Sequence, residues 1–503
     1  MKLYTSQAMK TADSETISRG IVPSLVLMER AAAAICKSAL SFCGENGTAA
    51  VFCGTGNNGG DGFAAARLLM EQGVSVRLFL IGKPEKFTPD TKVMAERFLA
   101  MGGVIESCAP EISEYVSTCG VIIDAIFGFG LNSPIRGAAL DAVGYMNASP
   151  APTVAADIPS GVEADTGCIL GCAVEAAETV TFTGAKPGHF ILPGGLCTGK
   201  LSIIPIGVPE AILEGLSSAV TAVTQEDVVL PRRRKDAHKG HFGRVVIIGG
   251  SRAYTGAPIL AAEACVRSGA GLVSLGVPEA IYPITAVRTR EVMPFSLQSG
   301  DDGCVAPEAA EDVLRRLENA DVCLIGPGLG RGPGVTEFVL RILRGAKCQV
   351  ILDADGINAI SGHISILRET VRPCVLTPHD GEYARLGGST AEGRLASVHG
   401  FAQQNRCILV LKGFGTLTAS PDGAVRVNTT GNPGMATGGS GDVLAGITAG
   451  LCAQLSDTAE AAAFAVFLHG LAGDFAAEEY GEYSMTPTDL IGALPRAFKS
   501  VMR

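Results

Sequence analysis

The sequence predicts an α/β protein with two successive domains, each built on a mostly parallel, doubly wound sheet. Three observations support this fold class. The chain has 503 residues, which is too long for a single hydrophobic core. Apolar segments of strand length alternate with helical segments from Ala49 onward, and the alternation starts again at Arg244 after a polar stretch. Such alternation is typical of a parallel sheet with helices on both faces.

The first domain is predicted from four strands and the helices between them. The strands are AAVFCG, VSVRLFLIG, VIIDAIFG and PTVAADIP, and the helices are GFAAARLLMEQG and DTKVMAERFLAMGG. Two more strand-like segments, TVTFTG and LSIIPIG, lead to Val208 and Pro209. The segment from Ala211 to Lys239 is predicted as a short helix and a linker, so we expect the domains at residues 1–215 and 225–503.

The second domain is predicted from five strands, RVVIIGGS, DVCLIGPG, QVILDADG, CVLTPHDG and CILVLKGFGT. Two apolar segments, from Val443 to Leu455 and from Ala461 to Gly473, are bounded by acidic residues and are predicted to be buried helices. We expect no apolar run long enough to cross a bilayer, and therefore no membrane partner.

Composition limits the classes of function. The hydrophobic fraction is 47%, and the net charge of −10 argues against nucleic acid as a partner. The 15 cysteines lack the paired spacing of a zinc site, and thiols in this number fit a reducing compartment. The N-terminal segment has no apolar signal core. We therefore expect a cytoplasmic homo-oligomer that acts on small molecules.

The most informative segment is NPGMATGGSGDVLAG, which covers residues 432–446. Its glycines let successive N–H groups turn toward one point, and a helix starting near Asp442 adds the positive end of its dipole. Phosphate binds at such a place. Asp442 would then take a proton from an alcohol that attacks a phosphoryl group. The alternative is a simple N-terminal capping aspartate.

The first domain has a second glycine-rich segment, GTGNNGGDG, directly after its first strand. Gly54, Gly56 and Gly59 match the dinucleotide motif of dehydrogenases, but the second strand lacks the acidic residue that would hold a ribose hydroxyl. Asp124 and Asp157 end two neighbouring predicted strands, which is where open α/β sheets place their sites. Either aspartate alone is explained by a helix cap, but together they predict a site for a cation or phosphate.

Taken together, these motifs resemble a known family. GTGNNGGDG, DAIFGFGLNSP, DIPSGVEADTG and FTGAKPG resemble the NAD(P)H-hydrate epimerase domain. RVVIIGGS, IGPGLG, LDADGIN, LTPHDGE, VLKGFGT and NPGMATGGSGDVLAG resemble the ADP-dependent NAD(P)H-hydrate dehydratase of the ribokinase-like superfamily. The order is that of the fused nicotinamide nucleotide repair enzymes of prokaryotes. The resemblance implies a Rossmann-like doubly wound domain followed by a ribokinase-like α/β domain. Two positions depart from the family pattern: Asp380 replaces the usual proline after His379, and Glu163 replaces the commoner Asp or Asn.

For the first domain, the resemblance implies exchange between the R and S forms of NADHX and NADPHX, which carry a hydroxyl at C6 of the nicotinamide ring. C6 is bonded to the ring nitrogen, so it exchanges configuration through an opened or iminium-like intermediate. Asp157 is the implied general acid and base, and Asn58, Asp124 and Ser160 are the implied ligands of K⁺. The implied substrate-binding residues are Asn57, Asn58, Gly59, Gly60, Asp61, Gly128, Phe129, Gly130, Leu131, Asn132, Ser133, Pro134 and Asp157.

For the second domain, the resemblance implies dehydration of the S hydrate at the expense of ADP, with AMP and phosphate as products. Hydroxide is a poor leaving group, and phosphorylation turns it into phosphate, which the ring nitrogen expels. Asp442 is the implied base, and Mg²⁺ is the implied metal. The implied nucleotide-binding residues are Lys412, Gly413, Phe414, Gly415, Thr416 and Gly441, and the implied substrate-binding residues are Ala257, Gly328, His379 and Asp442.

Four side chains have open alternatives. Lys412 is either a strand-end lysine in water or a phosphate ligand, and the glycine loop after it favours the second. His379 is either a buried imidazole bonded to the backbone or a substrate contact. Asp353 and Asp355 end a strand, and they either bind Mg²⁺ through water or fix the loop.

Two other functions remain open at this point. A small-alcohol kinase of the ribokinase superfamily would leave the phosphate on its product. Alternatively, the first domain would be a non-catalytic binding scaffold, as in messenger-RNA decapping factors. The NNGGD segment, Asp157 and the acidic balance argue against the scaffold.

Overall fold

The computed structural model describes residues 1–44, 47–391 and 393–502. The chain divides into two compact units: one comprises Lys2–Val220, and the other comprises Met1 and Thr221–Arg503. Each unit has its own sheet, and most strand pairs in both sheets are parallel. The α/β fold class is therefore confirmed.

The first unit is a seven-stranded sheet covered by helices. Its strands are β1 (Thr48–Cys53), β2 (Ser75–Leu80), β3 (Ile105–Ser107), β4 (Val121–Ala125), β5 (Thr153–Ala156), β6 (Glu178–Phe182) and β7 (Lys200–Ile204). Its helices are α1 (Ser6–Ser18), α2 (Ser24–Phe42), α3 (Asn57–Glu71), α4 (Pro89–Ala100), α5 (Ser113–Thr118), α6 (Ala138–Ala148) and α7 (Glu210–Glu214).

The strand order in this sheet is β3-β2-β1-β4-β5-β6-β7, and all neighbours are parallel. Strands β1 and β4 are apolar on both faces because α2, α3 and α4 pack together on one face and α5 and α6 cover the other. The order reverses between β1 and β4. The loops that follow these two strands therefore diverge and leave a crevice at the carboxyl edge of the sheet.

The second unit is a ten-stranded sheet. Its strands are β8 (Val220–Val223), β9 (Arg244–Ile248), β10 (Leu272–Pro278), β11 (Met293–Leu297), β12 (Val322–Ile325), β13 (Gln349–Leu352), β14 (Val375–Leu376), β15 (Ile408–Leu411), β16 (Leu417–Ala419) and β17 (Val425–Asn428). Its helices are α8 (Gly256–Arg267), α9 (Tyr282–Arg288), α10 (Ala310–Leu317), α11 (Pro333–Gly345), α12 (Asp355–Ala359), α13 (Asp380–Arg385), α14 (Arg394–Asn405), α15 (Ser440–Cys452), α16 (Thr458–Tyr480) and α17 (Pro487–Val501).

The strand order here is β11-β10-β9-β12-β13-β14-β15-β16-β17-β8. The pairs from β11 to β15 are parallel, and β16 pairs antiparallel with both β15 and β17. Strand β8 corrects the sequence analysis, which predicted a short helix and a linker over this segment. Four residues, three of them buried, gave too short a pattern, and the strand forms because it completes the sheet beside β17.

Helices α8 and α15 approach each other at backbone distance. A β-carbon built on Gly446 would lie 2.0 Å from the carbonyl oxygen of Ala261, and one on Gly450 would lie 2.8 Å from Cβ of Ser268. Glycine is therefore required at Gly446, since any side chain would force the helices apart. This contact brings α15, which carries Asp442, against α8, which carries Ala257.

Helix α16 is the one helix among the described residues that is long and apolar enough to span a membrane. It has 23 residues, and its most apolar stretch of 18 residues has a mean hydropathy of 1.2, which contradicts the expectation that no run reaches this length. However, 78% of this apolar stretch is buried inside the unit, where the helix packs against α15 and α17. The prediction that Ala461 to Gly473 forms a buried helix is confirmed.

All 15 cysteines are free thiols. Three of them, Cys108, Cys168 and Cys172, are partly exposed, and the others are buried. Burial raises the pKa of Cys348 to about 11 and that of Cys452 to about 12.

Candidate functional sites

The first unit contains a cavity of about 780 Å³ at the carboxyl edge of its sheet. Helices α1 and α2 form one wall, and the loops after β1, β4 and β6 form the other. Most of the predicted substrate-binding residues line this cavity, namely Asn57, Asn58, Asp61, Gly128, Phe129, Gly130, Leu131, Asn132, Ser133 and Asp157.

Three predicted residues do not line the cavity. Gly59 and Gly60 are buried in the first turn of α3, which begins at Asn57, so the expected loop from Asn57 to Asp61 is helical instead. A β-carbon on Gly59 would lie 2.0 Å from the carbonyl oxygen of Gly54, and these glycines let the helix start against the strand loop. Pro134 is also absent from the cavity wall.

Asp157 forms a buried ion pair with Lys186 at the base of the cavity. Lys186 Nζ donates to Asp157 Oδ1 at 2.5 Å, and the two residues are 1% and 5% exposed. Asp157 has a φ of +65°, a left-handed conformation that Asp tolerates better than most residues. Burial alone would raise the pKa of Asp157, but the Lys186 ammonium outweighs it and lowers that pKa below its ordinary value. The carboxylate is therefore ionised at neutral pH.

His189 fixes the main chain of the same residue. Its Nε2 lies 2.8 Å from the carbonyl oxygen of Asp157, and its Nδ1 accepts from the Lys186 N–H at 3.1 Å. A neutral imidazole with its proton on Nε2 satisfies both bonds. Burial, with the Lys186 charge, lowers the pKa of His189 to about 4, so the ring stays neutral.

Two more carboxyls face the cavity. Burial raises the pKa of Asp13, on α1, to about 6, with Asp157 adding to the shift. Burial and the charges of Asp157 and Asp13 raise the pKa of Asp61 well above its ordinary value. The cavity therefore combines one ionised carboxylate with two that hold protons more readily.

Two of the three predicted potassium ligands, Asp124 and Ser160, are hydrogen-bonded to each other, and the third, Asn58, lies on the cavity wall. Asp124 accepts from the Ser160 hydroxyl at 2.6 Å and from the Ser160 N–H at 2.7 Å. The Asn58 amide lies against Gly128, and its Nδ2 is buried without a hydrogen-bond partner. If the amide is turned over, its oxygen takes the position of the unpaired Nδ2, and all three side chains then offer oxygen atoms, the donor type that hard cations prefer.

In the second unit, Asp442 lies in the first turn of α15. Gly439 precedes the helix with a φ of +103°, and Ser440 Oγ lies 3.3 Å from Nε2 of the buried His469 on α16. Burial raises the pKa of Asp442 to about 7, with further contributions from Asp353, Asp355 and Glu382, while Lys412 opposes the shift. Asp442 is therefore poised to accept a proton near neutral pH.

Lys412 is held by carboxylates at the end of β15. Its Nζ lies 3.0 Å from Asp353 Oδ1 and 3.9 Å from Glu382 Oε2. A β-carbon on Gly441 would lie 3.4 Å from the same Nζ, so the ammonium also reaches the start of α15. The alternative of a strand-end lysine in water is wrong, since only 19% of the side chain is exposed.

The loop after Lys412 turns back on itself. The Thr416 hydroxyl donates to the Gly413 carbonyl at 2.8 Å and accepts from the Gly413 N–H at 3.2 Å. Phe414 stands out from this loop and is 55% exposed. The loop therefore presents an aromatic ring to an incoming group.

The predicted substrate contacts lie in two places. A β-carbon on Gly328 would lie 3.2 Å from Cβ of Ala257 and 2.8 Å from Cβ of Tyr254, so these three residues form one surface. His379 caps α13, where its Nδ1 accepts from the Gly381 N–H at 3.0 Å. Its side chain is 56% exposed, so the alternative of a buried imidazole is wrong.

Asp353 and Asp355 are both engaged by protein donors. Asp353 Oδ1 accepts from the Thr377 hydroxyl at 2.7 Å, besides its ion pair with Lys412. Asp355 accepts from the Gly330 N–H at 3.0 Å and from Arg331 Nε at 2.9 Å. Within the described part of the chain, no cluster of three or more His, Cys, Asp or Glu side chains is arranged to hold a metal ion. Carboxylate oxygens such as those of Asp353 and Asp355 are ligands that Mg²⁺ accepts either directly or through water.

Comparison with known proteins identifies the family. A family model described as NAD(P)H-hydrate dehydratase matches residues 245–496, and one described as the YjeF-related protein N-terminus matches residues 24–188. The bifunctional NAD(P)H-hydrate repair enzyme Nnr of Moorella thermoacetica is 39% identical and aligns with 100% of this chain and 97% of its own length. The enzyme of the same name from Thermofilum pendens is 38% identical, over 100% of this chain and 97% of its own.

This chain belongs to the family of bifunctional NAD(P)H-hydrate repair enzymes. The family resemblance stated from the sequence is thereby confirmed. A solved ribokinase-like superfamily protein from Enterococcus faecalis is 34% identical with a TM-score of 0.51, and covers 57% of this chain and 98% of its own. The ribokinase-like fold of the second unit is also confirmed.

Several residues beside the candidate sites of this repair-enzyme chain were not singled out from the sequence. Lys186 had a signal, since it is the one charged residue in the segment FTGAKPG after a buried strand. Glu382 had one in its position three residues after His379, the spacing of a capping box. His469 had none, because it lies in a helix that is apolar on every side.

The two departures from the family pattern have structural consequences. Glu163 closes a turn, since its Oε2 accepts from the Thr166 N–H at 2.8 Å and also from the Thr166 hydroxyl. Asp380 forms an ion pair with Arg394, whose Nη1 lies 2.7 Å from Asp380 Oδ1. A proline at position 380 would not form this pair.

Proposed function

We propose that this chain interconverts the R and S hydrates of NADH and NADPH in its first domain and dehydrates the S hydrate in its second. ADP is the phosphoryl donor, and AMP and phosphate are released. The observation that carries the proposal is the Asp442 carboxyl, which lies in the first turn of α15 with a pKa raised to about 7. Membership of the repair-enzyme family over the whole chain supports the choice of substrate.

In the first domain, the ring opens as the C6 hydroxyl becomes a carbonyl: its proton passes to the Asp157 carboxylate, and the electron pair of the broken C6–N bond passes to the ring nitrogen, which is conjugated with the carboxamide. The nitrogen then attacks the other face of the carbonyl, and Asp157 returns the proton to the oxygen. Lys186 keeps Asp157 ionised before each cycle, and Thr181 orients it by donating to Oδ1 at 3.1 Å. The N–H groups at the start of α3 and in the loop from Gly128 to Ser133 bind the dinucleotide phosphates.

Asn58, Asp124 and Ser160 hold K⁺ beside this cavity. The ion supplies a fixed positive charge next to the phosphate-binding loops. The support is the orphaned Asn58 amide and the oxygen-rich donor set. Burial raises the pKa of Asp124 to about 6, and a bound cation would return it toward its ordinary value.

In the second domain, Asp442 takes the proton of the C6 hydroxyl, whose oxygen attacks the terminal phosphorus of ADP while AMP leaves. The N–H groups of Gly439 to Gly441 bind the transferring phosphoryl group. The new phosphate then leaves C6 as the ring nitrogen donates its electron pair, and loss of a proton from C5 restores the double bond. Ala257, Gly328 and His379 hold the hydrated ring against Asp442.

The nucleotide lies on Lys412, Gly413, Phe414, Gly415, Thr416 and Gly441. Asp353 and Asp355 would hold Mg²⁺ through water, and the ion would neutralise charge at the nucleotide phosphates. Lys412 holds Asp353 in place for this purpose.

The test is turnover of a mixture of R and S NADHX with Mg²⁺ and either ADP or ATP. We expect released phosphate and the returning absorbance of NADH in equal amounts, with ADP as the better donor. An organic phosphate that stays on the product, without free phosphate, would support the small-alcohol kinase instead. Retention of turnover without any nucleotide would contradict the mechanism.

A further inference from the structure

Arg394 is a buried arginine with unused hydrogen-bonding capacity. It opens α14 and is 8% exposed. Its Nη1 donates to Asp380 Oδ1 at 2.7 Å, but its Nε and Nη2 are buried without a partner. Buried N–H groups of a charged side chain are costly to leave unpaired, so such groups indicate a ligand.

The unpaired side of this guanidinium faces the loop that follows β15. A β-carbon on Gly413 would lie 3.5 Å from Arg394 Nη2. Gly413 has no side chain to cover the guanidinium, and its N–H is already bonded to Thr416 Oγ1. The unpaired Nη2 of Arg394 therefore lies beside Gly413, and neither Nη2 nor Nε has a protein acceptor.

The negative charge around Lys412 is a second argument for a role of Arg394. The Lys412 ammonium lies beside the Asp353 and Glu382 carboxylates, so its single charge faces two negative charges, and Asp442 adds another carboxyl nearby. A nucleoside diphosphate brings further negative charge into this acidic surrounding. Lys412 alone does not balance this charge, and Arg394 supplies a second cation with unpaired N–H groups.

We propose that Arg394 binds the donor nucleotide, with Nε–H and Nη2–H donating to a phosphate oxygen of an adenine nucleoside diphosphate on the Gly413–Thr416 loop. Asp380 is a positioning residue that holds Nη1 and leaves the N–H groups of Nε and Nη2 unpaired. This inference rests on the proposed nucleotide site of the second domain. It gives Asp380, which replaces the family's usual proline, a definite role.

The test compares the dissociation constants of ADP and adenosine by calorimetry on the full-length protein. Arg394→Gln is expected to weaken ADP binding by about 10- to 100-fold, because a charge-assisted bond to phosphate is lost, and to change adenosine binding by less than about twofold. Asp380→Asn keeps an acceptor for Nη1 and removes a negative charge, so ADP should bind as tightly as in the wild type or more tightly. Arg341→Gln is the control, since Arg341 pairs with Glu337 within α11 and should change neither constant.

The outcomes separate a ligand role from a structural one. Equal losses for ADP and adenosine in Arg394→Gln, or no loss for ADP, would overturn the proposal. If Arg394→Gln does not fold, Arg394→Lys decides: a selective loss for ADP supports the role, and an unchanged ratio overturns it. If the wild type binds ADP and releases phosphate while the variants bind normally, only the role of Arg394 fails. If the wild type binds neither ADP nor ATP, the proposed function fails with it.

Discussion

Asp157 and Asp442 are the same residue type in opposite electrostatic settings. Asp157 is buried, but the Lys186 ammonium lowers its pKa, so it stays ionised. Asp442 is buried near Asp353, Asp355 and Glu382, and its pKa rises to about 7. The first setting suits a carboxylate that accepts a proton briefly and returns it. The second suits a general base, because a carboxylate whose pKa lies near neutral pH accepts a proton more strongly than an ordinary carboxylate.

Replacing Asp442 by Asn should trade activity for stability. Asp442→Asn is expected to lower the dehydration rate by on the order of 10²-fold or more, while ADP binding changes little. The folded pKa is raised, so the stability that this group contributes is lost as pH rises through about 7. The free energy of unfolding of the variant should therefore exceed that of the wild type by roughly 1–3 kcal/mol above pH 7. The difference should be smaller under acidic conditions. Urea unfolding at both pH values measures this, and near-normal turnover would remove Asp442 from the mechanism.

The pH dependence of dehydration follows from the same group. Because the base form of Asp442 is populated above its pKa of about 7, kcat/KM for the S hydrate should rise with pH through that value and then level off. Epimerisation should not follow this rise, since Asp157 is already ionised at neutral pH. Measuring both reactions across the pH range compares them directly. A dehydration profile that is flat between pH 6 and 8 would contradict the assignment of the base.

The ion pair of Asp157 and Lys186 predicts a strong coupling. Asp157→Asn or Lys186→Met leaves one buried charge without its partner and should cost about 3–5 kcal/mol in the free energy of unfolding. The double variant should recover most of that loss, whereas epimerisation stays absent in all three. Asn is the better replacement at position 157 than Ala because of the positive φ. Losses that simply add in the double variant would show that the two side chains do not interact in this way.

At the scale of the elements, the regular parallel strands were predictable and the irregular junctions were not. The strands β1, β9 and β12 are short apolar runs directly before glycine, which sequence patterns indicate well. Strand β8 was missed because its stability comes from the edge of a sheet assembled from distant segments. The helical first turn of α3 was missed because asparagine and glycine usually favour a loop, and here tight packing of Gly59 on Gly54 overrides that preference.

In the candidate sites, the residues at strand ends and in glycine-rich segments were predictable from the sequence, but their charged partners were not. Residues at strand ends and in glycine loops, such as Asp124 and Asp442, carry a local signal. Partners that arrive from another segment do not, and the contacts of Lys186 with Asp157 and of Arg394 with Asp380 span 29 and 14 residues. Burial and charge pairing depend on the folded arrangement, so the pKa values were also beyond the sequence.

The contact between α8 and α15 should control catalysis from a distance. Gly446→Ala places a β-carbon against the Ala261 carbonyl, so it should push the helices apart and cost about 1–3 kcal/mol. Asp442 then moves relative to Ala257, and kcat for dehydration should fall by roughly 10-fold or more with a smaller change in ADP affinity. Gly492→Ala is the control, because open space surrounds that position in α17. Melting temperature and single-turnover rates measure both effects, and a normal kcat in a destabilised Gly446→Ala would separate the helix contact from catalysis.

At the scale of the whole chain, β8 determines where the domains can be cut. The predicted fragment 225–503 lacks β8, whose Val223 carbonyl accepts from the Thr429 hydroxyl at 2.6 Å. Without β8, the edge of β17 is exposed and invites association. A fragment of residues 219–503 should melt cooperatively, stay monodisperse and dehydrate the S hydrate, whereas 225–503 should be less stable and aggregate. Size-exclusion chromatography and thermal melting compare them, and identical behaviour would show that β8 is dispensable.

The burial of the thiols has a consequence for how the molecule withstands oxidants. A thiolate, not a thiol, reacts with peroxides and alkylating agents, and raised pKa values leave almost none at neutral pH. The chain therefore carries 15 cysteines yet offers only Cys108, Cys168 and Cys172 to the solvent even in part. Its cysteine content resembles that of a redox-sensitive protein, but in the folded state its buried thiols should react slowly with oxidants and alkylating agents. Loss of activity in air should accordingly follow unfolding rather than precede it.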